Sequence, residues 1–166
     1  DVRDRALVEA IVLTALRHRN YRIYWVGALV SFIGTWLQGT ALSWLVRTLT
    51  PSPFNLGLVA FCGSAPMFIF SLFGGVLADR LDKKQVLVVT QAALGLFAGI
   101  LAFLTLTHMI RLHHIMLIAL ASGIASALDV PLRQSFVFHL VDKEDLPNAI
   151  AMNSMGFNSA RIIGPA

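Results

Sequence analysis

Few side chains in this sequence could do chemistry, and they stand at the ends of long apolar runs or deep inside them. The densest group is Gly74-Gly75-Val76-Leu77-Ala78-Asp79-Arg80-Leu81-Asp82-Lys83-Lys84, where two carboxylates and three cations directly follow small residues. Glycines let a neighbouring helix approach closely. A carboxylate such as Asp79 at that edge can pair with a cation, or sit at a helix N-terminus where the dipole favours negative charge. On charge alone, an ordinary polar turn describes the stretch better.

Two further ionisable residues interrupt apolar segments, Asp129 and Arg161. Such residues are costly inside hydrocarbon and are usually paired or turned to a wet cavity. Asp129 is expected at the level of Arg80, Lys83 and Lys84. Two readings stand for it: a partner of Arg80 in one conformational state, or a headgroup-level aspartate near a helix end before Pro131. Arg161 lies roughly 22 Å along a helix from Leu146, which suits an anionic substrate or an internal partner better than lipid. Ser31, Thr35 and Gln38 recur at helical spacing, so Thr35 and Gln38 are pathway candidates, although such hydroxyls also bond back to helix carbonyls. Gly95 and Gly99, and the series Gly156, Ala160 and Gly164 next to Pro165, read as helix-packing faces. The five histidines fall at or near segment ends. His108, His113 and His114 fit a polar loop better than a metal site, and no metal is expected. No His-Glu-x-x-His, phosphate loop or Gly-x-Ser-x-Gly occurs.

The elements that carry these residues follow from composition. Of 166 residues, 57% are hydrophobic and 13% are charged, whereas a soluble domain carries about 25% charged residues. Most of the exterior therefore needs a hydrocarbon solvent. A spanning helix takes about 20 largely apolar residues. No charge occurs between Tyr24 and Val46, between Asn55 and Ala78, or between Gln85 and Ile110. A weaker span begins at Leu112 and meets Asp129 and Arg133, and a further run starts at Leu146. These predict spans over residues 24–46, 55–78, 85–110, 112–132 and 146–166. The first run is too long, and too far from the start, for a cleaved signal peptide. Residues 1–23 read instead as an amphipathic leader in the headgroup region. Continuous runs rather than alternating ones exclude a β-barrel.

Arg3, Arg5, Arg17, Arg19, Arg22, Arg80, Lys83, Lys84, Arg133 and Lys143 fall on one side of these spans, against Arg47 and Arg111 on the other. That asymmetry predicts a cytoplasmic N-terminus and a cytoplasmic 79–84 loop. Tyr21, Tyr24 and Trp25 would then mark the inner interface, and Trp44 the outer one. Cys62 is the single cysteine, so no disulfide framework is expected. The chain starts at Asp1 and stops at Ala166 inside an apolar run, which predicts a segment of a longer protein.

The order Gly75, Leu77, Ala78, Asp79, Arg80, Lys83 and Lys84 resembles the signature loop of the major facilitator superfamily, and it falls between the second and third spans as in that family. Asp82 stands where the family often has glycine. Leu16-Arg17-His18-Arg19-Asn20-Tyr21-Arg22, Gly34-Thr35-Trp36-Leu37-Gln38, Pro131-Leu132-Arg133-Gln134-Ser135-Phe136, Leu146-Pro147-Asn148-Ala149-Ile150-Ala151 and Ala160-Arg161-Ile162-Ile163-Gly164-Pro165-Ala166 are similar to the bacterial branch typified by the enterobactin exporter. The terminal Gly164-Pro165 resembles part of a fifth-helix antiporter motif.

The resemblance implies an all-α integral membrane protein with a major facilitator-type bundle. This chain would then be an N-terminal fragment holding helices 1–4 and most of helix 5 of an expected twelve. Residues 24–166 would be part of the first six-helix half, with the remaining helices as partner. The implied function is secondary active transport by alternating access, expected to be proton-coupled export of a small molecule such as a siderophore or drug. The signature loop would serve as a conformational latch with Asp129 as its partner. The implied surroundings are a lipid bilayer, the bacterial inner membrane, with no cofactor and no nucleic acid. The alternatives are a membrane-embedded enzyme, which should show a catalytic cluster, and the membrane domain of an ATP-driven exporter, which should have longer helix extensions than the 79–84 loop.

Overall fold

A computed structural model describes residues 14–80 and 82–165, and between residues 71 and 80 the helical backbone only. Most of the leader, residues 1–13, and Ala166 lie outside the described residues. A short 3-10 turn at Ala15–Arg17 precedes five helices: α1 Arg19–Leu49, α2 Pro53–Arg80, α3 Lys83–Leu106, α4 Leu112–Val137 and α5 Leu146–Ile163. The all-helical, multi-span architecture is the one the apolar runs predict. Four stretches, Arg19–Leu49, Pro53–Phe70, Lys83–Leu106 and Leu112–Val137, are long and apolar enough to cross a membrane. In hydrocarbon every backbone polar group must be satisfied within its own segment, which leaves helices as the solution for continuous apolar runs. Their outer faces stay apolar: Phe68 is 78% exposed, Val30 66% and Leu106 80%. In α5, Asn148, Asn153, Asn158 and Arg161 interrupt the apolar residues.

The helix ends depart from the predicted spans for local reasons. Helix α1 starts at Arg19, so the last part of the predicted leader belongs to it. Helix α3 stops at Leu106 rather than near Ile110, because His108 adopts a φ of 56°. The amides of His108 and Met109 donate to the carbonyls of Thr105 and Leu104. This is a Schellman closure that satisfies the last carbonyls. Helix α4 passes through Pro131 and ends at Val137, beyond the predicted 132. Proline removes one backbone donor, but neighbouring groups often make good that loss in membrane helices.

The chain forms two compact units, one of residues 1–41 with 135–166 and one of residues 42–134. In the first unit, α5 runs parallel to the early part of α1, since their contacts climb together. Tyr21 Oη donates to the Ala149 carbonyl at 2.9 Å. Further along, Trp25 Nε1 donates to the Met152 carbonyl at 3.2 Å. Ala15, Tyr21, Val137, Ala149 and Met152 form the buried core, with Tyr24 and Trp25 packed against it. Tyr24 also meets Phe136 edge-on, with ring centroids 5.6 Å apart. Tyr21, Tyr24 and Trp25, read from sequence as interfacial, thus serve helix packing, because each ring finds a partner on the other segment. Trp44, by contrast, is 72% exposed.

In the second unit, Val46, Val59, Leu101, Ile115 and Ala119 make the core. Helices α2 and α4 approach most closely at Gly123, where an added Cβ would collide with the Gly63 carbonyl and lie 3.1 Å from Pro66 Cγ. Ala119, Gly123 and Ala127 repeat small residues every fourth position, and all three are buried. Small side chains of this kind let membrane helices gain van der Waals contact.

Candidate functional site

The strongest concentration of polar groups among the described residues lies on α3 and α4, inside the second unit. Asp129 is 5% exposed and Arg133 9%. They are spaced i, i+4 along α4, so their side chains fall on one face. Arg133 Nε donates to Asp129 Oδ2 at 2.6 Å. The other carboxylate oxygen accepts from Thr90 Oγ1 at 2.7 Å and from Gln91 Nε2 at 2.8 Å. Thr90 also lies 3.1 Å from the Leu87 carbonyl, but its single hydroxyl proton favours the shorter, charge-assisted contact. One carboxylate thereby gathers three donors from two helices. Buried charges are tolerable when paired and hydrogen-bonded in this way.

Helix α3 begins about 10 Å below this network, at the standard rise per residue. Asp82 caps it, its carboxylate accepting from the amides of Lys84 at 3.0 Å and Gln85 at 3.3 Å. The residue that departs from the family's usual glycine is therefore an N-cap, a position aspartate fills well. Helix α2 continues to Arg80, so Gly75, Leu77, Ala78, Asp79 and Arg80 belong to its last turns rather than to a loop. Their side chains lie outside the described residues, and so does the proposed Arg80 partner of Asp129. Lys83 is half-buried and Lys84 exposed in the first turn of α3.

The other candidates distribute unevenly. Arg161 is exposed, and its guanidinium carbon lies 5.7 Å from the centre of the Trp36 ring. Thr35 is exposed and its hydroxyl donates to the Ser31 carbonyl at 2.8 Å. Gln38 is half-buried on the same helix. Gly156 packs against α1, a Cβ there falling 3.6 Å from Leu29 Cδ1 and from Trp25 Nε1. At Gly164 the approach is closer, with Trp36 Cβ at 2.6 Å and the Leu37 amide nitrogen at 3.0 Å. Pro165, beside it, is exposed. Gly95 and Gly99 differ: a Cβ at either meets nothing within 4 Å, so the packing expected of them is not made among the described residues.

Sequence reading overlooked three features. Arg133 was the i, i+4 cation beside Asp129 and could have been found from spacing. Thr90 and Gln91 had no such signal, because only the pairing of α3 with α4 brings them near. A third lies in the first unit, where His18 Nε2 is 2.9 Å from Asp145 Oδ2 and 4.0 Å from Asp142 Oδ2. Beside it, Asn148 Nδ2 donates to Thr14 Oγ1, so the segment before α1 is tied to the start of α5. Among the described residues no group of three or more metal-ligating side chains occurs.

Comparison with known proteins gives a consistent picture. The family described as transmembrane secretion effector matches residues 10–166. The chain is 33% identical to the staphyloferrin A transporter of Staphylococcus aureus, over 87% of this chain and 37% of the relative. It is 28% identical to the enterobactin exporter of Shigella flexneri, over 89% of this chain and 36% of the relative. Against the enterobactin exporter of Citrobacter koseri the identity is 30%, with the same coverage of 89% and 36%. The chain thus spans little more than a third of the length of these curated relatives. No solved structure gives a significant match.

Proposed function

The chain belongs to the transmembrane secretion effector family of the major facilitator superfamily, and on that premise we propose that it is the first part of a twelve-helix exporter working by alternating access. It is a multi-pass segment of a bacterial plasma-membrane protein, and its relatives are transporters rather than enzymes. The proposed cargo is a small molecule of the siderophore class, after the names of those relatives. Proton coupling, the missing helices as partner, and a cytoplasmic N-terminus belong to the same proposal. The positive-inside distribution supports that orientation. On this reading residues 24–166 are most of the first half, and residues 1–23 include its leader.

The observation that carries the reading is the buried Asp129 network in an otherwise apolar pair of helices. Ionisable groups at membrane depth are costly and mark moving or conducting parts of transporters. In the proposed cycle Asp129 ties α4 to α3 through Thr90 and Gln91, while Arg133 answers its charge from the same helix. Arg80, at the end of α2, competes with Arg133 for the same carboxylate in another state. Gly75, Leu77, Ala78, Asp79, Lys83 and Lys84 complete that latch. Gln38, Thr35 and Arg161 are proposed to face the pathway. Gly156 and Gly164 with Pro165 set the α1–α5 contact, and Gly95 and Gly99 await a partner helix from the rest of the protein.

Efflux from cells that make enterobactin or staphyloferrin A tests this, comparing the complete protein with an empty vector. Expression should raise the secreted chelator. In the same assay Asp129→Arg and Arg80→Asp should each abolish efflux, and the double variant should recover it. Absence of efflux for both chelators would remove the siderophore reading. Failure of the double variant to recover would remove the Arg80 latch.

A further inference from the structure

Arg161 carries a full charge roughly 22 Å along α5 from Leu146, and no carboxylate pairs with it among the described residues. Its described partner is a ring face, that of Trp36. A cation on an indole is stabilised by the ring's negative face, but among the described residues no acceptor meets its five donors. Beside it stands a wall of rings. Phe157 meets Phe32 edge-on with centroids 5.5 Å apart and Trp36 with centroids 5.7 Å apart. Phe157 is 43% exposed, so part of that wall is open. The Trp36 indole nitrogen adds a second unmet donor: it is buried and has no hydrogen-bond acceptor among the described residues. Buried donors of this kind ordinarily find partners. Nearby, the Asn158 amide is already committed to the Ser154 carbonyl at 2.8 Å.

A charged fork, an indole N–H and a flat apolar wall together match one ligand chemistry. We propose that Arg161, Trp36, Phe157 and Phe32 form a subsite for a small organic anion that carries a carboxylate or similar oxyanion on an aromatic ring. The guanidinium accepts the oxyanion in a two-pronged contact that an ammonium would not reproduce. The ring of the ligand lies against Phe157 and Trp36, where aromatic pairs gain beyond simple burial. Gly164 supports the geometry, because its lack of a side chain lets α5 close onto Trp36. This subsite names the substrate class of the exporter proposed above and rests on that reading.

The test is equilibrium dialysis of the complete protein in phosphatidylcholine nanodiscs, with empty nanodiscs as blank. The probes are 4-nitrobenzoate and its neutral counterpart 4-nitrobenzamide. The anion should bind about tenfold more tightly than the amide, as expected for a charge-assisted contact out of water. Arg161→Gln should erase that preference, and Arg161→Lys should retain part of it. Should Arg161→Gln fail to fold, benzoate must displace 4-nitrobenzoate from the parent protein while benzamide does not. Equal binding of the two probes, or an unchanged preference in Arg161→Gln, overturns the subsite. So does loss of the preference on adding phosphatidylglycerol, which would make Arg161 a lipid-phosphate contact. Efflux without anion preference refutes the subsite alone, whereas anion preference without efflux refutes only the exporter reading.

Discussion

The two units of the chain hold their polar groups in opposite ways. In residues 42–134 one ionised side chain gathers three donors around itself, and the cation that answers it sits on the same helix. In residues 1–41 and 135–166 the bonds from α1 to α5 within the helices run from neutral side chains to backbone carbonyls, Tyr21 to Ala149 and Trp25 to Met152. The difference has an energetic consequence. A side-chain bond to a carbonyl adds modestly, about 1 kcal/mol net, and has a fixed partner whatever the state. A buried ion pair is close to neutral against an apolar pair but expensive to break. It therefore suits an element that exchanges partners, while the aromatic seam suits one that stays closed.

The largest effect should come from breaking the ionic unit on one side. Asp129→Ala removes the carboxylate that answers the buried Arg133 and that Thr90 and Gln91 donate to, a loss of about 3–5 kcal/mol, measurable as a shift in detergent-induced unfolding of the complete protein. If the loss were no greater than that of an exposed substitution, the contrast between the units would fail. Next comes the close crossing at Gly123. Gly123→Ala pushes a methyl into the Gly63 backbone and should cost about 1–3 kcal/mol. Gly95→Ala meets nothing within 4 Å among the described residues, so in the same assay it should lose less stability than Gly123→Ala, and only through the further helix proposed to pack there.

The aromatic seam should respond more gently. Tyr21→Phe keeps the buried ring and removes one hydroxyl, at a cost of about 1 kcal/mol by the same measurement. A loss as large as that of Asp129→Ala would put the two units on an equal footing. Smallest of all is Thr35→Val, because among the described residues the hydroxyl bonds back to Ser31 on its own helix. Unfolding should move by no more than about 0.5 kcal/mol.

Much of the fold was legible because the spans are set by the absence of charge, and hydrocarbon leaves a continuous apolar run few alternatives to a helix. The ends were less legible. His108 ends α3 in a left-handed conformation that sequence rules assign to glycine, and Pro131 does not end α4. Packing faces were only partly legible: Gly156 and Gly164, read as packing positions, do close on α1, and Gly123 was passed over. At Gly95 and Gly99 a Cβ meets nothing within 4 Å among the described residues, while Gly123 closes on Gly63 within an Ala119, Gly123, Ala127 stripe that sequence spacing also displays. Asp129 stood out as a charge in an apolar segment, yet Thr90 and Gln91 could not, since ordinary polar residues gain meaning only when another helix arrives. Tyr21 and Trp25 had the composition of an interfacial belt. Composition alone does not say whether a ring faces lipid or a neighbour.

The account rests on Asp129 and Arg133 acting as one element of the transport cycle. A double-mutant cycle on efflux by the complete protein, using Asp129→Asn and Arg133→Gln with helical content checked in each variant, tests that most directly. Each single change should reduce efflux at least about tenfold, and the double variant should be no worse than either, as coupled neighbours behave. Efflux at the parent rate in Asp129→Asn, or losses that simply multiply in the double variant, would contradict it.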